Sequence, residues 1–145
     1  MLLSQASSTR QVLTLQVAEL NKIGIVGSNF TLVVDAVNPR TLDFIPALNT
    51  STILVWTSNG ENKKITVANS LNSPKFPLKL IAEKISANKA VGSSEVKLSD
   101  NATRDLIVGL GRSAGRCEIR FAATAGPEHG VGSETHTITF TITGS

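Results

Sequence analysis

The chain has one cysteine, one tryptophan and no tyrosine, and aromatic residues fill only 4% of its 145 positions. A single cysteine excludes an intrachain disulfide. Nucleic-acid binding modules normally use stacking rings or a dense basic face. Neither is present, so the net charge of +3 and the pI near 9.3 read as a solvated surface of scattered Lys and Arg. No nucleic-acid partner is expected. Charged residues reach 17%, against roughly 25% in a typical soluble domain. No run approaches the roughly 20 apolar residues of a membrane-spanning helix.

Catalytic and metal-binding signatures are also scarce. The two histidines, His129 and His136, have no His, Cys or carboxylate partners at metal-ligand spacing. Glu128 beside His129 is a weak basis for an acid–base pair. Gly109-Leu110-Gly111 lacks the spacing and context of a dinucleotide loop. No serine sits in a Gly-x-Ser-x-Gly elbow. Asp35, Asp43, Asp100 and Asp105 are dispersed and read as turn or surface residues. No catalytic residue, no cofactor and no metal is assigned, and an enzyme is not expected.

What is abundant is Thr, Ser, Asn and Gly, set among short alternating apolar runs. Residues 135–143 read Thr-His-Thr-Ile-Thr-Phe-Thr-Ile-Thr. Strand side chains alternate between faces. This segment therefore carries one apolar face (His136, Ile138, Phe140, Ile142) and one hydroxyl face. Residues 11–18 alternate similarly, with Leu13, Leu15 and Val17 on one side. Further strands are expected near residues 23–25, 30–36, 51–57, 63–68, 95–99 and 116–124. Residues 77–86 fit a strand or a helix face, and Pro77 at the start favours the strand. Residues 100–111 fit a strand through Leu106, Val108 and Leu110, or one or two capped helical turns.

Asn59-Gly60 marks a hairpin between residues 51–57 and 63–68. Phe44 and Ile45 are expected to plug the domain from a loop. Residues 116–124 and 133–143 are expected to form a terminal pair. Cys117 alternates with Ile119 and Phe121, so it reads as a small buried hydrophobe.

Turn signals every 8–12 residues and no firm helix give an all-β fold. We expect a single antiparallel β-sandwich of immunoglobulin-like or jelly-roll type, with about 8–9 strands, over residues 9–145. A flexible arm over residues 1–8 precedes it. Met1 to Ser8 is too short for a signal peptide and has no basic start, although Ser4-Gln5-Ala6 has the small-x-small form of a cleavage-site tail. Asn29, Asn49 and Asn101 head Asn-x-Ser/Thr triplets that permit glycosylation in a suitable secretory route.

Eighteen extended residues reach about 60 Å, so the arm and its first strand could pair within the domain or cross to another copy. Crossing would be strand addition, with Leu13, Leu15 and Val17 as donor side chains. The order of an alternating first strand (QVLTLQVAELNKIGI), an NG turn and a Thr-rich closing strand (ETHTITFTIT) resembles secreted bacterial β-sandwich proteins, pilin-like filament subunits among them. The likeness covers most of the chain but is compositional. The disulfide and C-terminal tyrosine usual in chaperone–usher pilins are missing, as is a wall-sorting motif. The resemblance implies a non-catalytic subunit of an extracellular filament or surface assembly, built from copies of itself by donor-strand exchange. A virion structural or decoration protein, and a ligand-binding module using the loop at residues 125–132, are the alternatives.

Overall fold

The computed structural model describes residues 5–87, 93 and 95–144. Half of the arm expected over residues 1–8 therefore lies outside the described residues. The fold is all-β, with eight strands in two antiparallel sheets that do not close into a barrel. The strands are β1 (Asn21–Val26), β2 (Ala47–Ser58), β3 (Lys63–Asn69), β4 (Leu78–Ser86), β5 (Val96–Lys97), β6 (Arg104–Leu110), β7 (Ser113–Ala123) and β8 (Ile138–Gly144). A single 3-10 turn, Pro127–His129, interrupts the loop before β8.

The larger sheet has the order β1-β2-β7-β4-β5 and the smaller one β6-β3-β8. Leu54, Trp56, Leu78, Leu80, Ala82, Cys117, Ile119 and Phe121 project from the larger sheet into the core, where Ile65, Val67, Leu106, Ile107 and Leu110 meet them. All are buried. This follows from period-2 alternation: each sheet hides one face and leaves the other to polar residues. The reverse faces carry cross-strand ion pairs such as Lys64–Asp105 (3.1 Å), Lys84–Glu118 (3.3 Å) and Arg120–Glu83 (3.3 Å). Exposed pairs of this kind contribute little stability.

Residues 77–86 are a strand, with Leu78, Leu80 and Ala82 inward. Residues 104–110 are also a strand, but their inward set differs from strict alternation. Leu106, Ile107 and Leu110 are buried, and Val108 is 39% exposed. Register shifts against β3 on both sides of Ile65 reset the phase, and Gly109 takes a positive φ of 75°. These are β-bulges, which place neighbouring residues on one face.

Several expectations are corrected. Residues 11–18 and 30–36 form no strand. The first has no strand partner among the described residues. The second keeps its alternation, with Leu32 and Val34 half-buried and the Phe30 ring tilted against Phe121 at 5.2 Å, but gains no ladder. Asn59-Gly60 does not close a hairpin: β2 and β3 lie in different sheets, and the positive φ falls on Asn62 (58°). Of the strands consecutive in the chain, β1–β2 and β4–β5 are neighbours within one sheet, and the other connections between described strands cross the sandwich. The terminal segments do not pair either. β7 lies between β2 and β4, and β8 pairs with β3. The Thr-rich segment becomes a strand only from Ile138. Of the loop plug, Phe44 is half-buried and bridges Val37, while Ile45 is 47% exposed.

Candidate functional site

The residues read as an assembly element lie on an exposed segment. Residues 5–20 are all exposed and outside any strand. Val12, Leu13, Leu15 and Val17 are 87%, 86%, 83% and 73% exposed. Single exposed apolar residues are ordinary. Four within six positions, on a segment without its own hydrogen-bond ladder, make an apolar ribbon.

The ribbon is tied down where it meets the body. Asn59 Nδ2 donates to the Ala18 carbonyl (2.8 Å), and Asn59 Oδ1 accepts from the Leu20 amide (2.7 Å). The Asn59 amide also donates to the Leu20 carbonyl (3.2 Å). Glu19 meets Lys63 at 2.7 Å, and that ammonium group holds the Glu19 carboxyl below its ordinary pKa. Asn21 Oδ1 accepts from the Ser58 hydroxyl (2.6 Å). The sequence marks Asn59 only as a turn residue. Its side chain serves as a clamp, fixing where the arm leaves the fold. Adjacent Asn and Gly fit both uses, so no sequence signal separates them.

A second surface completes the picture. β8 is an edge strand, paired among the described residues with β3 alone. Its inward residues Ile138, Phe140 and Ile142 are only half-buried, while Thr139, Thr141 and Thr143 face solvent. On the facing sheet β1 is also an edge, and Ile25, on the same face as Ile23, is 52% exposed. Three strands face five here, and β1 lies near β8 on this flank.

Several titratable groups elsewhere have structural partners. Asn69 Nδ2 lies 2.8 Å from His136 Nδ1, and His136 Nε2 lies 3.1 Å from Glu134 Oε1. Glu134 also accepts from the amides of Lys75 (2.9 Å) and Phe76 (2.8 Å). Desolvation raises the Glu134 pKa, but those two amides and His136 lower it more, leaving it below the ordinary carboxylate value. Glu134 thereby staples the loop before β4 to the approach to β8.

A folded pKa below the unfolded one gives stability that is complete above the unfolded value, about 4.3 for glutamate. That stability fades as pH falls through the lowered folded value. Glu134→Gln should cost about 1–3 kcal/mol at neutral pH, because two charge-assisted bonds weaken. The gap from wild type should narrow at pH 3. Urea unfolding of both proteins at the two pH values measures this.

His129 Nδ1 accepts from the Gly126 amide (2.8 Å) and lies 3.7 Å from Glu128, so both belong to the 3-10 turn. Beside it, a shallow concavity of about 380 Å³ is lined by Lys75, Lys79, Lys97 and His129. Two of its lysines are already engaged. Lys75 Nζ donates to the Val131 carbonyl (3.0 Å), and Lys79 pairs with Glu95 (3.6 Å).

Cys117 is 2% exposed, and burial pushes its thiol up to about 11, so it is an inert core group. Among the described residues no group of three or more His, Cys, Asp or Glu could hold a metal ion. Of the glycosylation triplets, Asn29 and Asn101 are exposed, while Asn49 is half-buried and bonded to the Ser51 amide and hydroxyl. No helix among the described residues is long and apolar enough to cross a membrane. No family model, no curated protein and no solved structure matches this chain.

Proposed function

We propose that the chain is a non-catalytic structural subunit of an extracellular filament or surface assembly, polymerising by addition of its N-terminal strand to a neighbouring copy. One observation carries this reading. Leu13, Leu15 and Val17 alternate along a segment outside any strand and are each more than 70% exposed. A strand-forming segment without a ladder has unused backbone donors and acceptors, and its apolar side remains in water. Pairing with a sheet edge on another molecule satisfies both. Main-chain bonds then supply affinity, and alternate side chains fix the register.

The body suits such a role. Eight strands between Asn21 and Gly144 form it without the arm. The hydroxyl face of β8 is uncharged and can lie close to a neighbour. The test compares the full chain with a chain starting at Glu19, which keeps the Lys63 ion pair and every strand. Sedimentation and electron microscopy should show long polymers for the first and monomers for the second. Equal behaviour of the two removes the arm from assembly.

A further inference from the structure

The geometry points to the free edge of β8 as the acceptor for residues 11–17 of a second copy, which lie against Ile138–Gly144 and cover Ile25 and the β8 side chains. This rests on the arm-donation reading above and adds the receiving site.

The phase of the β3–β8 ladder decides which backbone groups are open. The Ser70 amide donates to the Thr137 carbonyl (3.0 Å), and the Thr137 amide donates to the Ser70 hydroxyl (3.0 Å). In an antiparallel pair, alternate residues bond to the same neighbour. Thr137, Thr139, Thr141 and Thr143 therefore face β3, opposite Ser70, Ala68, Thr66 and Lys64. The amides and carbonyls of Ile138, Phe140 and Ile142 point away from β3. Among the described residues, none bonds to them.

The other edges are poorer acceptors. On the far side of the smaller sheet, β6 is already bridged by Ser93 at Ile107. In the larger sheet β5 is two residues long. A strand added outside β1 would extend the larger sheet further beyond the smaller one, leaving its inner face uncovered. A strand added to β8 does the opposite. It gives the smaller sheet a fourth strand, opposite the exposed side of Ile25.

The dimensions match. Residues 11–17 and β8 are both seven residues long, about 23 Å when extended. With Leu13, Leu15 and Val17 inward, Val12, Thr14 and Gln16 continue the outer face beside the β8 threonines. The arm leaves its own body at Leu20, clamped to Asn59, with every described residue before it exposed. That exit presents it to another molecule.

Hydrogen exchange on the full chain tests the site without substitution. On assembly, the amides of Ile138, Phe140 and Ile142 should slow at least tenfold, while those of Thr139, Thr141 and Thr143, already in the ladder, change little. Edge amides that still exchange fast in assembled protein overturn the proposal.

Ile142→Pro adds a second arm to the test. It removes an outward N–H and leaves the bonds to β3 in place. The full-length variant should stay monomeric, yet its intact arm should cap wild-type polymers and shorten them. If Ile142→Pro polymerises like wild type, the acceptor lies elsewhere while arm donation stands. If a chain starting at Glu19 also polymerises, or the full chain stays monomeric, arm donation fails and this site fails with it.

Discussion

Replacing Leu13, Leu15 and Val17 together by Asp should abolish polymer formation and leave the fold unchanged. Each of these side chains, once buried, contributes about 1.5–3 kcal/mol. Even the low end of their sum, about 4.5 kcal/mol, corresponds to about three orders of magnitude in affinity. Carboxylates facing an apolar groove add a desolvation cost. The body should not respond, because Leu13, Leu15 and Val17 are all exposed in the monomer. Its unfolding free energy should stay within about 0.5 kcal/mol, as for other surface substitutions. Val12 supplies an internal control. It is 87% exposed but alternates onto the opposite side of the strand. Val12→Asp should assemble nearly as well as wild type. Sedimentation velocity over a concentration series reads both outcomes. Equal loss from Val12→Asp and the triple variant would mean that the arm acts through general hydrophobicity, without the register of a strand.

The second large effect is expected in the core. Gly115, on β7, lies opposite Trp56 on β2, and both face inward. A Cβ built on Gly115 would fall 2.6 Å from the indole Cε2 and 2.7 Å from the Ala87 methyl. Neither neighbour is the loose end of a flexible side chain. Trp56 is 4% exposed, so its ring is enclosed by the core. Gly115→Val should therefore cost about 3 kcal/mol, at the upper end for overpacking. At about 2–4 °C per kcal/mol in a domain of this size, Tm should fall by about 6–12 °C. Gly144→Ala, where an added Cβ meets nothing within 4 Å, should change Tm by less than about 2 °C, since open surface sites are nearly neutral. Thermal unfolding followed by circular dichroism compares the three proteins. A Gly115→Val variant as stable as wild type would show that the indole repacks freely.

The candidate site was legible in part. Leu13, Leu15 and Val17 stand out because period-2 alternation is local and survives in any strand, paired or unpaired. The clamp at Asn59 was hidden, because its partners Ala18 and Leu20 lie about forty residues away. The open edge of β8 was hidden for a related reason. An edge is defined by a strand that is absent, and no residue of β8 records that absence.

Alternation and turn chemistry determined the fold class, most of the strands and the buried role of Cys117. β3, β4 and β7 appear in the residue pattern almost to their ends. Only the tertiary structure decided which strands pair. It turned an Asn-Gly hairpin into a crossing between sheets, and moved the Thr-rich strand from beside β7 to beside β3. It also denied residues 30–36 a ladder while keeping Leu32 against the core, and used bulges to put Leu106 and Ile107 on one face. The physical reason is common to all of these. A strand's inward face is set by its own residues, but its neighbours are set by competition among edges for backbone hydrogen bonds and for a shared apolar layer. That competition is settled only when the whole chain is packed.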